Sequence, residues 1–237
     1  MRVFDETALP LRALCLWSRR MSIALPAGRV AVKICGITNE DDARAAIEAG
    51  ADLLGFNTWP GTKRHIVLED HAAWITTLPV VKIALLVNAT PAEMAATAAL
   101  PFIDALQFHG DEDAAECSRA AAFGKPLVKA IRARDAAAFA NADAFSTEHI
   151  LLDAHVPGAF GGTGERVDFA LVREFQSQHP RLTLWLAGGL SPENVADAVR
   201  AVRPRVVDVS SGVETAPGRK DFAKMRAFVE AVREASI

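Results

Sequence analysis

The chain has 237 residues, 51% of them hydrophobic and 23% charged, with a formal net charge of −3, the balance of a globular protein long enough to bury a core without staples. So even a charge, with no cluster of Lys and Arg, leaves no electrostatic footprint for nucleic acid, and no apolar stretch reaches the length of a membrane span. Cys15, Cys35 and Cys117 are odd in number and widely spaced, which excludes a disulfide framework and a paired-cysteine zinc site and points to a reducing, cytoplasmic setting.

Residues 1–29 read as an N-terminal extension, expected to be poorly ordered. Leu11–Trp17 is apolar, but Asp5 and Glu6 precede it and Arg12 interrupts it, so the basic start and clean apolar stretch of a signal peptide are missing. Met21 is an alternative start. From Val30 onward the chain alternates apolar runs with Ala-rich helical stretches. Eight runs are predicted strands: Val30–Cys35, Asp52–Asn57, Val81–Val87, Ile103–His109, Pro126–Ile131, His149–Asp153, Leu182–Ala187 and Val206–Ser210. Their near-continuous apolarity suits strands buried on both faces. Helix ends are written between them. Thr38 and Asn39 are N-cap candidates for a helix stopping at Gly50, and Pro91 suits a first helical position. Asp111–Ala122 ends at Gly124, Ser191-Pro192 opens a helix over Glu193–Val202, and Asp221–Glu234 closes the chain. Eight βα units over residues 30–237 fit a single closed (β/α)8 barrel; an open doubly wound sheet is the alternative, because strand order is not written in sequence.

In a barrel, chemistry gathers where strands exit into βα loops. Cys35 ends the first strand, precedes Gly36 and has a helix N-terminus a few residues on. A buried Cys is ordinarily a small hydrophobe; at this exit it becomes a candidate base or nucleophile with a lowered pKa. Asp153 follows Ile150-Leu151-Leu152, where a carboxylate either caps the next loop or serves as a general acid. Gly161-Gly162-Thr163-Gly164, Gly188-Gly189 and Ser210-Ser211-Gly212 follow strands six, seven and eight. One Gly-rich loop is weak evidence, since any tight turn uses Gly. Three in succession match the barrel phosphate site, with Gly162, Gly164, Gly188, Gly189, Ser211 and Gly212 as its residues. With no Walker or G-x-G-x-x-G motif, a sugar phosphate suits it better than a nucleotide. Arg64, in the long loop after strand two, has a planar fork that could take a carboxylate bidentately, where most loop arginines are merely solvated. Gln107 and His109 end strand four and could line the same pocket, although a lone His is as often an ordinary hydrogen-bonded side chain. The six His are scattered, with no spacing suited to a metal.

Val32-Lys33-Ile34-Cys35-Gly36-Ile37-Thr38, Lys63-Arg64, Gln107-Phe108-His109-Gly110, Leu151-Leu152-Asp153, Gly161-Gly162-Thr163-Gly164, Leu186-Ala187-Gly188-Gly189-Leu190 and Asp208-Val209-Ser210-Ser211-Gly212-Val213-Glu214 occur in this order. Together they resemble the phosphoribosylanthranilate isomerase family of tryptophan biosynthesis, from about Val32 to the C-terminus. The resemblance implies a (β/α)8 barrel and an Amadori rearrangement that needs no cofactor and no metal. It implies Cys35 as base, Asp153 as acid and Arg64 as carboxylate ligand, with Gln107, His109 and Asp208 among the substrate contacts. The expected partner is a phosphorylated small molecule, and the chain is a monomer or homodimer. Asn57-Thr58-Trp59 and Thr62-Lys63 depart from the family's usual residues, which bears on loop shape. Two alternatives stand beside this reading. Another sugar-phosphate barrel would carry two Asp at strand ends or metal-binding His, and a lapsed barrel would lack Cys35, Asp153 or Arg64.

Overall fold

A computed structural model describes residues 22–154 and 168–236. Residues 1–21, most of the predicted extension, and the 155–167 segment that carries Gly162 and Gly164 lie outside the described residues.

Eight parallel strands close into a barrel in chain order: β1 (Ala31–Cys35), β2 (Leu53–Asn57), β3 (Val81–Leu86), β4 (Ala105–Phe108), β5 (Leu127–Ala133), β6 (His149–Ala154), β7 (Thr183–Leu186) and β8 (Val206–Val209). Closure comes from β1 pairing with β8, Val32 opposite Val207 and Ile34 opposite Val209, which excludes the open sheet. Each predicted strand is present, shifted by two residues at most.

The helices follow their caps. Asn39 accepts a hydrogen bond from the Asp42 N–H at the start of α1 (Glu40–Ala49), and Gly50, at φ 102°, ends it in the left-handed region that a side chain would strain. A short α2 (Ala72–Ile75) follows β2 and sets Trp74 against Phe56 of that strand. Thr90 with Glu93 and Asp113 with Glu116 form reciprocal capping boxes on α3 (Pro91–Ala99) and α4 (Ala114–Ala121). Then come α5 (Phe169–Gln178), α6 (Val195–Val202) and α7 (Phe222–Ala235), the last capped by Asp221. Two predictions need correction. The Ser191-Pro192 start gives a turn, and α6 begins only after Asn194, because the Asn194 carboxamide accepts from the Ser191 N–H and closes that turn first. Between β5 and β6 the Ala-rich segment makes two single 3₁₀ turns, Ala136–Phe139 and Ala142–Ala144, where a helix was expected; Asp135 caps the first from its start. A small hairpin of β9 (Glu214–Ala216) and β10 (Arg219–Lys220), absent from the expected pattern, follows β8.

Most of the core lies between strands and helices, and a second cluster fills the barrel's lower interior with Ala31, Leu53, Ile83, Ala105, Val128, Leu151, Trp185 and Val206. Ile23 joins that cluster at 7% exposure, with Leu25 beside it. Of the expected extension, residues 22–29 are described, and Ile23 and Leu25 lie against the barrel floor. Ile23 plugs the N-terminal end of the barrel, where strand ends would otherwise meet water, and burying it contributes roughly 1.5–3 kcal/mol.

Candidate active site

Strand periodicity decides which side chains meet. Successive residues point alternately into and out of a barrel. Ala31, Lys33 and Cys35 thus share one face of β1, as do Leu53, Gly55 and Asn57 on β2, His149, Leu151 and Asp153 on β6, and Val206, Asp208 and Ser210 along β8 and its exit. At the C-terminal strand ends these faces converge on a cavity lined by Cys35, Asn57, Arg64, His109, Asp153, Gly188, Gly189, Asp208, Ser210 and Ser211. Gln107 sits one layer below, fully buried and bonded to His109. Gly188 and Gly189 hold φ of 93° and 59°, so the loop after β7 turns its backbone toward the cavity. Gly212 packs against the Leu190 carbonyl, where a Cβ would collide; its job is to let two loops touch.

On the acid side, the Gln107 carboxamide meets His109 Nδ1 at 2.9 Å, and the other ring nitrogen, Nε2, lies 3.1 Å from Asp153 Oδ2. Asp153 is buried, and the imidazole aims its carboxyl group across the cavity. The loop bearing His109 is itself tied down. Glu112, buried, accepts from the Asn88 and Gly110 N–H groups and pairs with Lys129 Nζ at 2.8 Å.

On the base side, Cys35 is 7% exposed. Burial pushes its thiol up, Lys33 and Lys220 pull it back, and Asp208 adds to the rise. The lowered pKa expected from a nearby helix N-terminus is corrected here: burial is the largest influence on the thiol and raises it, and α1 starts only at Glu40. Lys33 Nζ, fully buried, bonds Asp208 Oδ2 at 2.8 Å. Burial favours the neutral amine, but Asp208 and Cys35 more than offset it and hold the Lys33 ammonium above its usual value. Burial likewise raises the Asp208 carboxyl against the opposing pull of Lys33. Asp208 Oδ1 and Ser210 Oγ are buried without a hydrogen-bond partner among the described residues. Buried polar atoms left so cost stability that a polar ligand would return.

Arg64 reaches the cavity, already engaged. Its Nε and Nη2 donate to Glu214 Oε1 and Oε2 at 2.9 and 2.7 Å, so the side of the fork expected to meet a carboxylate ligand holds one from the chain itself. The guanidinium's other edge, through Nη1, points away from Glu214. Gly36 makes the approach feasible: at φ 77° it turns out of β1, and a Cβ there would lie 2.6 Å from Arg64 Cδ. Glu214 also takes Lys220 Nζ at 2.8 Å, while that ammonium bonds the Cys35 carbonyl at 2.6 Å. Burial lowers Lys220 despite Glu214, and Arg64 with Lys220 holds Glu214 below the usual range against its own burial.

Sequence reasoning gave no role to Lys33, Glu214, Lys220 or Glu112. Lys33 had a signal, a lone charge inside an apolar strand and two residues from Cys35. The others meet their partners only once the barrel closes. Among the described residues, no three His, Cys, Asp or Glu cluster as metal ligands, and no helix is long and apolar enough to cross a membrane.

The family model for N-(5'phosphoribosyl)anthranilate (PRA) isomerase matches residues 32–231. N-(5'-phosphoribosyl)anthranilate isomerase of Thiobacillus denitrificans is 47% identical over 206 residues, covering 84% of this chain and 96% of the relative. The Magnetococcus marinus protein of that name is 45% identical over 208 residues, 87% and 96% of the two chains. Among solved structures, phosphoribosyl anthranilate isomerase from Thermotoga maritima superposes with a TM-score of 0.78 at 36% identity, covering 86% of this chain and 99% of its own. A structure of the same enzyme in complex with reduced 1-(O-carboxyphenylamino)-1-deoxyribulose 5-phosphate has a TM-score of 0.75 at 35% identity, covering 86% and 99%.

Proposed function

The chain belongs to the N-(5'-phosphoribosyl)anthranilate isomerase family, and from that premise we propose that it rearranges N-(5-phospho-β-D-ribosyl)anthranilate to 1-(2-carboxyphenylamino)-1-deoxyribulose 5-phosphate in the cytoplasm. The observation that carries the reading is one cavity faced by a thiol from β1 and a carboxyl group from β6, strands that are not neighbours in the barrel. The solved relative bound to a reduced form of that aminoketone supports the substrate class.

Each step has a residue suited to it. Asp153, aimed by His109, gives a proton to the ring oxygen, and the C1′–O bond breaks to leave an iminium. The positive nitrogen acidifies C2′–H, and Cys35 as thiolate removes that proton to form an enolamine, which becomes the ketone on gaining a proton at C1′ and losing the one on its C2′ hydroxyl. Asp208 Oδ1, buried beside the thiol with no partner of its own among the described residues, suits a sugar hydroxyl donor. Backbone N–H groups of the Gly188-Gly189 and Ser211 loops, with the Ser210 hydroxyl, suit the phosphate; Gly162 and Gly164, assigned the same role from sequence, lie outside the described residues. The outer edge of Arg64 suits the anthranilate carboxylate, with Glu214 fixing the plane of the guanidinium. Anchoring both ends of a flexible substrate holds C2′ between base and acid.

Incubating the chain with the anthranilate ribonucleotide and separating isomers by chromatography tests the reading. Conversion that persists with EDTA present is expected. A folded chain that leaves the substrate unchanged would refute it.

A further inference from the structure

A fully buried lysine in the interior of a barrel strand calls for an explanation, since an unpaired ammonium there is expensive. Lys33 lies two residues before Cys35 on the inner face of β1, and β1 pairs with β2 so that Cys35 stands opposite Gly55. A Cβ placed on Gly55 would lie 2.7 Å from Cys35 Sγ and 3.0 Å from Lys33 Nζ. Thiol and ammonium therefore converge over the one residue of β2 that has no side chain to separate them. Asp208 Oδ2 holds the other side of the ammonium at 2.8 Å, from the register position directly across from Lys33 on β8.

We infer that Lys33 is a positioning residue of this site: fixed between Asp208 and Cys35, its ammonium is the buried cation that sets how readily Cys35 gives up its proton. The inference rests on the reading of Cys35 as the base. The other charges facing the thiol are accounted for. Lys220 reaches it from β10, bonded to the Cys35 carbonyl and neutralised by Glu214, which also holds Arg64. Asp153 and His109 face it across the cavity from β6 and the end of β4. Lys33 differs from all of these in approaching the sulfur from inside the barrel, away from solvent and from any ligand.

The arrangement poises the thiol between two opposed influences. Dehydration and the Asp208 carboxylate favour the neutral thiol, and the Lys33 ammonium favours the thiolate. A thiolate held too firmly would be a poor base for C2′–H, and one not held at all would be too scarce near neutral pH. Removing the two partners separately should then move Cys35 in opposite directions. Local disorder, by contrast, would move it the same way in both variants.

The test is the pH dependence of Cys35 alkylation by iodoacetamide, read on the Cys35 peptide by mass spectrometry so that Cys15 and Cys117 do not interfere. Lys33→Met should raise the midpoint of the rate–pH curve by about one pH unit or more, and Asp208→Asn should lower it. A variant whose site has merely opened relieves the burial of the thiol and lowers the midpoint whichever partner is removed, so the rise in Lys33→Met is the shift that opening does not produce. Should Lys33→Met fail to fold, the double variant Lys33→Met/Asp208→Asn, which removes both charges together, is compared with Asp208→Asn and must titrate higher. Removal of Lys33 with an unmoved or lowered midpoint, or Asp208→Asn moving it upward, would overturn the inference. Alkylation needs no substrate, so a negative result leaves turnover as evidence for the reaction untouched. A chain with the expected shifts and no turnover would count against the reaction alone.

Discussion

The same eight strands end in two very different surfaces. At their N-terminal ends the interior is mostly apolar, with Ala31, Leu53, Ile83, Ala105, Val128, Trp185 and Val206 under Ile23 and one polar exception, the buried His149, whose Nδ1 accepts from the Trp185 indole. A few residues along, still on the inner face, stand Lys33, Cys35, Asn57, His109, Asp153 and Asp208, with polar atoms of Gln107, Asp208 and Ser210 lacking partners among the described residues. Both ends obey one alternation of side chains; residue type alone separates them. The floor secures the barrel, and the mouth holds groups that would be poor choices for stability and are explained by a ligand. Substitutions at the two ends should therefore fail differently.

The largest effect is expected at the mouth. Asp153→Asn keeps the shape and the bond to His109 but has no proton to give to a ring oxygen, so kcat should fall by about 10²–10⁴-fold while the melting temperature holds. Near-wild-type kcat would remove Asp153 from the chemistry. Trp185→Ala is the counterpart at the floor. Trp185 is fully buried, so truncation should cost about 3–5 kcal/mol of stability, with kcat per folded molecule unchanged. Denaturant unfolding and active-site-normalised kinetics separate the two quantities, and a large kcat loss in a folded Trp185 variant would break the division between the ends.

Arg64→Lys should act in between, on binding. A point charge cannot hold Glu214 bidentately and a ligand carboxylate at its outer edge together, and losing about 1.5–3 kcal/mol of charge-assisted bonding raises KM by about 10- to 100-fold. The KM of an analogue lacking the carboxylate should barely move; an equal rise for both substrates would assign Arg64 a structural role only. The smallest effect concerns the chain start. A chain beginning at Met21 retains Ile23 and Leu25 and should melt like the full chain. One beginning at Gly28 loses the floor plug and roughly 1.5–3 kcal/mol. Equal melting temperatures for both would show that Ile23 does not secure the floor.

The two ends also differed in how far they could be read from sequence. Strands stood out as apolar runs, and the helix starts at Asn39, Pro91 and Asp221 were written in single residues because helix initiation is local chemistry. Cys35 and Asp153 could be found because the exit of an apolar strand is a local feature, whereas Asp208, inside the predicted eighth strand, came only with the family resemblance. The Arg64–Glu214 pair spans 150 residues of chain and exists only because β8 returns beside β1. No local pattern announces it, and so the fork of Arg64 looked free for a ligand. Ile23 was missed for a related reason: its partner is the closed barrel floor, built from strands scattered along the whole chain. The turns at 136–144 were hidden by composition, since Ala favours a helix and only the spacing of Asp135 and Asn141 breaks it.

The central claim is that the mouth performs base catalysis through one thiol, and Cys35→Ala measured beside the parent chain tests it most directly. Steady-state turnover of the anthranilate ribonucleotide and a thermal melt are recorded on the same preparations. The account predicts a kcat reduced by about 10²–10⁴-fold with a melting temperature equal to or above the parent's, because a buried sulfur beside two ammonium groups gives way to a methyl. A variant that melts normally and turns over at the parent's rate would contradict it.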